Sequence, residues 1–218
     1  MGLVRSCVDL ENKRILDVGC GIGMYIRKFK EFSDDVYGVD VDPERVEKAR
    51  LTAANVMVAP AEKLPFPDNF FDVVFLHEVI EHVDDDRQAI SEAIRVLAPG
   101  GRAIVFAPNR LYFFETHGIY VGKRYIFKLI PLVNYLPDPL RNKFCPHVRA
   151  YTKGDIERLF AGLPARIVAE TCIYPGFDNI AARHKTIAGA LRRLLYYMEG
   201  TPMRAFGLSH FLVAEKMA

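Results

Sequence analysis

The run Ile15-Leu16-Asp17-Val18-Gly19-Cys20-Gly21-Ile22-Gly23 constrains this chain more than any other stretch. An apolar strand enters a loop with glycine at alternate positions, and a helix follows. Glycines there remove side chains that would hold a ligand off the backbone. A strand, Gly-rich turn and helix near the start of an α/β chain form a nucleotide-type binding site. The dinucleotide pattern G-x-G-x-x-G would need glycine at Met24, and no Gly-Lys-Ser/Thr run for a phosphate loop exists. What stands is D-x-G-x-G-x-G with an acid, Asp17, near the strand end. An anionic side chain suits a ligand carrying an ammonium and a sulfonium better than one carrying a pyrophosphate.

Val36-Tyr37-Gly38-Val39-Asp40 reads as the next strand, and Asp40 lies 17 positions after Gly23. That spacing holds one helix, about Ile22 to Phe32, and a short return. An acid at the tip of the second parallel strand can accept both hydroxyls of a ribose. Asp42-Pro43-Glu44 then opens a helix: Asp42 caps it, Pro43 sits where an N–H is not needed, and Glu44 favours the positive end.

Three further blocks stand in order along the chain. They are Ala61-Glu62-Lys63-Leu64-Pro65-Phe66-Pro67-Asp68-Asn69-Phe70-Phe71-Asp72, then His77-Glu78-Val79-Ile80-Glu81-His82-Val83, then Leu97-Ala98-Pro99-Gly100-Gly101-Arg102. With the glycine loop and Asp40, they make residues 13–109 resemble a class I S-adenosylmethionine-dependent methyltransferase of the type 11 group. The resemblance implies a Rossmann-like α/β fold with a seven-stranded, mostly parallel sheet, helices on both faces, and S-adenosyl-L-methionine as cofactor. It implies Gly19, Gly21 and Gly23 beneath the methionine part, Asp40 on the ribose, Val41 beside the adenine, and Ala61 and Glu62 along the adenine edge. His77 would face the sulfonium. One position departs: Pro60 stands where the family usually has an acid for the adenine amino group, and it offers neither carboxylate nor N–H.

A chain of 218 residues, half of them hydrophobic, is long enough for one substantial core, so a single domain over 1–218 is expected. A net charge of +2 is too small to argue for nucleic acid by itself. Cys7, Cys20, Cys145 and Cys172 show no paired spacing, which fits reduced thiols in the cytoplasm. No apolar run reaches the length of a membrane span or of a signal peptide.

Strands and helices alternate from residue 14 to about 107. Val73–Leu76 reads as strand four and Arg87–Leu97 as its helix, with Asp84-Asp85-Asp86 as cap. Ala103–Ala107 reads as strand five. From Asn109 to about His147 the pattern breaks on Pro131, Pro137, Pro139 and Pro146, and aromatics crowd it, so about 109–150 is expected to be a substrate-lid insertion. Thr152–Phe160 then reads as helix, Arg166–Tyr174 and Leu208–Glu215 as strands, and Ala188–Met198 as a basic amphipathic helix. Between Arg110 and Arg149 seven basic residues face two acids. Such a segment suits an apolar or anionic substrate or a membrane surface. A lid with its aromatics on the core and its lysines in water explains the composition equally.

Methyl transfer from a sulfonium needs an in-line acceptor near contact distance. A hydroxyl acceptor gains from a base with a pKa near neutral, which points to histidine. Among His77, His82, His117 and His147, the expected catalytic pair is His82 and His147. His184 and His210 lie farther along, and His210 reads as structural. If a helix begins at Glu78, then Glu78, Glu81 and His82 share a face. That set, with His147 ahead of Tyr151-Thr152, resembles metal-dependent O-methyltransferases of the ubiquinone pathway and of small-RNA ends. The metal stays an alternative; the expected site holds none.

The expectation is therefore a methyltransferase acting on a small-molecule acceptor, at oxygen. The rivals are an RNA-end or lipid/quinone-type O-methyltransferase with a metal, and a cofactor-binding protein without transferase activity.

Overall fold

The computed structural model describes residues 1–176 and 185–218. His184 lies outside the described residues. The chain forms two compact units.

The first unit comprises Met1–Ala107, Gly154–Glu170 and Leu212–Ala218. After a short helix α1 (Gly2–Cys7), it alternates β1 (Ile15–Val18), α2 (Met24–Phe29), β2 (Val36–Asp40), α3 (Pro43–Arg50), β3 (Val56–Val58), β4 (Phe71–His77), α4 (Asp86–Val96) and β5 (Leu97–Pro108). Later come α6 (Lys153–Leu159), β10 (Ala165–Ile173) and β11 (Ser209–Lys216), whose last and first three residues respectively fall in the second unit. The seven strands form one sheet in the order β10-β11-β5-β4-β1-β2-β3. The ladders β1–β2, β1–β4, β2–β3 and β4–β5 are parallel. All four residues of β1 are buried, and β4 is buried from Val73 to Leu76. That burial on both faces is why these strands read as unbroken apolar runs rather than alternating ones. The order reverses at β1 and β4: β2 leaves β1 on one side and β4 joins it on the other. Such a switch point opens a crevice beyond the strand ends.

Local signals behave as their chemistry requires. Asp42 caps α3 by accepting from the amides of Glu44 at 2.9 Å and Arg45 at 3.4 Å. Asp85 caps α4 by accepting from Gln88 N–H at 2.9 Å. α2 is shorter than the expected Ile22–Phe32, because Gly21 and Gly23 both take left-handed backbone and delay its start to Met24. The block from Leu64 to Phe71 is a structural clasp. Glu92 of α4 accepts from Leu64 N–H at 2.8 Å, and Arg95 donates to the Leu64 and Phe66 carbonyls and to Asp68. Phe66, Phe70 and Phe71 ring Tyr37, with the Arg14 guanidinium 4.2 Å above Phe70. Burial opposes ionisation of Glu92, yet the Arg95 bond dominates and holds its carboxyl below the usual range.

The second unit comprises Pro108–Lys153 and Thr171–Phe211. It contains β6 (Phe114–Glu115) paired antiparallel with β9 (Ile130–Pro131), and β7 (Ile119–Val121) paired antiparallel with β8 (Arg124–Ile126). Helix α5 (Asp138–Phe144) and helix α7 (Lys185–Glu199) complete it, with 3-10 turns at Val133–Tyr135 and Pro202–Phe206. Its small core joins Val133, Cys145 and Val148, against which Ile119, Ile130, Leu136 and Phe144 pack. A buried ion pair sits in the same unit: Arg141, 1% exposed, meets Glu115 at 2.9 Å and donates to the Val148 carbonyl at 2.9 Å. Among the described residues, no helix is long and apolar enough to cross a membrane. All four cysteines are free.

Candidate functional site

The switch point of the first unit carries the expected cofactor residues. β1 delivers Asp17 in the strand and Gly19 just past it; β2 delivers Asp40 at its tip. The Gly21 amide donates to Asp40 Oδ2 at 2.8 Å, and the Asp42 amide donates to Asp40 Oδ1 at 2.9 Å. Each Asp40 oxygen thus has one fixed partner, and its second lone pair remains for another donor. Asp17 is 2% exposed, and its Oδ2 has no hydrogen-bond partner among the described residues. Burial, and then the Asp40 charge, push the Asp17 carboxyl well above the usual carboxylate range. Burial with the same two carboxylates pushes the Cys20 thiol up to about 12, so it stays protonated and unreactive.

The three glycines serve different needs. A Cβ on Gly19 would stand 2.6 Å from Val79 Cγ2, and one on Gly23 would stand 3.3 Å from the Ala49 backbone. Those two glycines let the protein pack on itself. A Cβ on Gly21 meets nothing within 4 Å, so this position faces open space.

A cleft of about 500 Å³ opens here, bounded by Gly19, Asp40, Val41, Ala61, Glu62 and His82 among the expected residues. Asp17, Gly21, Gly23 and His77 do not line it. His77, at the end of β4, packs its ring on Tyr25 at 4.8 Å and Phe106 at 4.9 Å, and burial lowers its pKa. Pro60, the departure from the acid implied by the resemblance, lines the cleft. Glu62 is committed elsewhere through Oε1, which accepts from the Asp84 amide at 2.9 Å. Arg45, Val79 and Val83 also line the cleft and carried no sequence signal beyond their neighbourhood. Arg45 reaches it from α3 while paired with Asp42 at 3.2 Å.

The face shared by Glu78, Glu81 and His82 does not form. Residues 78–83 are turns rather than helix, and Glu78 takes a left-handed φ of 55°. Without the helix the i, i+3, i+4 spacing does not apply, although Glu81 and His82 still offer ligand atoms within 4.8 Å of each other. Glu81 is buried, and His82 lies 3.9 Å from it with 45% of its side chain exposed.

His82 belongs to the first unit and His147 to the second. His147 is held by an edge-on contact with Tyr120 at 5.4 Å and with Tyr125 at 5.6 Å, and its Nε2 lies 3.3 Å from the His117 carbonyl. His117 in turn places Nδ1 3.1 Å from Glu115. His210 is buried, with Nε2 2.9 Å from the Tyr151 carbonyl, a structural position.

Comparison with known proteins fits this geometry. Residues 16–105 match the type 11 family model described as "Methyltransferase domain". A "Probable tocopherol O-methyltransferase, chloroplastic" from Oryza sativa is 38% identical over 102 residues, 43% of this chain and 28% of that protein. A "Ubiquinone biosynthesis O-methyltransferase" from Alkalilimnicola ehrlichii is 34% identical over 59% of this chain and 55% of its own length. A "Ubiquinone/menaquinone biosynthesis C-methyltransferase UbiE" from Geotalea daltonii is 33% identical, covering 58% and 62%. The chain thus spans between 28% and 62% of the length of these relatives. The crystal structure of an S-adenosylmethionine-dependent methyltransferase from Mesorhizobium loti superposes with a TM-score of 0.67 at 20% identity, covering 99% of this chain and 96% of that one. Residues 16–105 thus match a methyltransferase domain, and the chain shares its fold with that S-adenosylmethionine-dependent methyltransferase from Mesorhizobium loti.

Proposed function

We propose that this protein transfers the methyl group of S-adenosyl-L-methionine to a small-molecule acceptor, at oxygen. The observation that carries the reading is the pairing of a buried, unpartnered Asp17 Oδ2 with a fixed Asp40 carboxylate beside an open glycine loop. Both features fit the cofactor. Asp17 offers a carboxylate to an ammonium, and Asp40 offers its remaining lone pairs to two ribose hydroxyls. Gly19, Gly21 and Gly23 run beneath the methionine part, with Gly21 giving the closest approach. Val41 lies against the adenine, and Ala61 and Glu62 run along its edge. Pro60 leaves the adenine amino group to backbone acceptors.

The bound cofactor supplies an electrophilic methyl on sulfur; everything else is positioning by the chain. His77, kept neutral by burial, presents no positive charge to a sulfonium. His82 and His147 are the bases we assign to the acceptor's proton. The segment 109–150 is the part we assign to acceptor selection, because it follows β5 directly and carries its own aromatic and basic side chains. Oxygen is favoured by two relatives named as O-methyltransferases, against one named as a C-methyltransferase. Four free cysteines favour a reducing compartment, the cytoplasm.

The test is calorimetric titration with S-adenosylmethionine and S-adenosylhomocysteine, with and without magnesium or zinc. Micromolar binding that metal leaves unchanged supports the reading. Absence of binding overturns it, and metal-dependent binding replaces it with the metal-assisted alternative.

A further inference from the structure

From residue 116 to residue 137 the chain carries Lys123, Arg124 and Lys128 and no acid. The same segment divides its apolar side chains into two sets. Ile119 and Ile130 pack on the Val133, Cys145 and Val148 core, and Tyr120 packs on Tyr125 and His147. Phe127 reaches that set only at the Tyr125 ring, 6.4 Å away, and it and Leu129 are 74% and 62% exposed, with Val121 and Leu132 also exposed. The segment has its own core, yet it turns its most apolar tip outward.

The backbone fixes this arrangement. The β7–β8 ladder pairs Val121 with Arg124, and the Tyr125 hydroxyl donates to the His117 carbonyl. Leu132 holds a left-handed φ of 66° with its amide bonded to the Phe113 carbonyl at 2.8 Å. Large apolar side chains left exposed within one short segment point to an interaction surface. Interleaved cations without acids narrow the partner to one that is apolar within and anionic at its face.

We propose that the β7–β8 hairpin and the loop to Leu132 dock on an anionic lipid surface. Phe127 and Leu129 enter the acyl region, while Lys123, Arg124 and Lys128 meet the headgroups. A second copy of this chain is a poorer occupant, since a two-fold contact would set the same cations against one another. Docking needs no methyl transfer, so it stands or falls apart from the proposed activity.

The chain contains no tryptophan, so Phe127→Trp in the full chain gives one clean reporter. With vesicles of mixed phosphatidylcholine and phosphatidylglycerol, its emission should shift to the blue and be quenched by brominated acyl chains. Pure phosphatidylcholine should give little response, and Leu51→Trp, at a position 89% exposed in the first unit, should give none. Each of Lys123→Gln, Arg124→Gln and Lys128→Gln should lower partitioning about fivefold. Leu129→Trp repeats the measurement should the first variant fold poorly. Unchanged emission with anionic vesicles in a folded variant overturns the proposal, as does an equal response from Leu51→Trp. A blue shift that follows protein concentration without lipid overturns it in favour of self-association.

Discussion

The backbone amide of Gly21 donates to Oδ2 of Asp40 at 2.8 Å, tying the loop after β1 to the tip of β2. One carboxylate therefore shapes the glycine loop and presents the lone pairs assigned to the ribose. Asp40→Ala should weaken S-adenosylhomocysteine binding by about 1–3 kcal/mol, the cost of losing hydrogen bonds to a charged group. It should also lower Tm by several degrees, since the Gly21 and Asp42 amides both lose their acceptor. Calorimetry and thermal melting read the two effects. Unchanged affinity would remove Asp40 from the cofactor site.

The role proposed for Asp17 predicts that cofactor affinity depends on pH. Its carboxyl is raised by burial and by the Asp40 charge, so the free protein holds a proton there above the ordinary aspartate value of about 3.9. In the unliganded protein that proton stabilises the fold at low pH, and the contribution fades as pH rises through the raised value. An ammonium partner favours the ionised form. Affinity should therefore climb with pH across the same window, with release of a proton. Titration in two buffers of different ionisation heat measures that release. Asp17→Asn should abolish it, and a wild-type protein that releases none would sink the ammonium assignment.

Two glycines should respond differently to alanine. At Gly21 the new Cβ meets no protein atom, so Gly21→Ala costs only the left-handed strain of about 1–2 kcal/mol. The methyl group occupies the open space, and affinity should fall more than stability does. At Gly38 the Cβ would lie 2.6 Å from Ile26 Cδ1 and 2.9 Å from Cys20 Sγ. Gly38→Ala should destabilise by about 1–3 kcal/mol through overpacking. Denaturant melts of both variants, beside cofactor titration of Gly21→Ala, separate the two causes. A Gly21→Ala variant that keeps full cofactor affinity would contradict the geometry.

The Arg141–Glu115 pair should behave as a buried ion pair whose halves need each other. Arg141→Met alone leaves Glu115 buried without its guanidinium and should cost about 3–5 kcal/mol. Pairing it with Glu115→Gln should recover part of that loss. Burial pushes the Glu115 carboxyl up, but His117 and Arg141 outweigh it and hold the carboxyl below the ordinary range. Its contribution is thus present above an unfolded value of about 4.3 and lost as pH falls through the lower folded one. Acid melts followed by near-UV dichroism test this; a double variant as unstable as Arg141→Met would show that the pairing contributes nothing.

The first half of the chain was legible because its signals are local. Asp42-Pro43-Glu44 specifies a capped helix start, and the apolar runs Ile15–Val18 and Val73–Leu76 specify strands buried on both faces. The region from Pro108 to Lys153 was legible only as a break in the pattern, since strands of two and three residues leave no periodicity to read. The run from Glu78 to His82 misled for a related reason. Its spacing suits a helix face, but the backbone turns left-handed at Glu78, and spacing alone cannot reveal that turn.

The sequence by itself determined the order of strands and helices in the first unit, the cap residues, and the positions at which acids and glycines converge. These follow from propensity and short-range hydrogen bonding, which act over a few residues. Only the tertiary structure decided which glycine faces open space, which side of the glycine loop Asp40 holds, and which aromatics of the second unit stay uncovered. Those outcomes depend on atoms far apart in sequence, such as Val79 against Gly19 and Glu115 against Arg141. Close packing and burial of charge are set by the neighbours the fold supplies, and no local pattern encodes them.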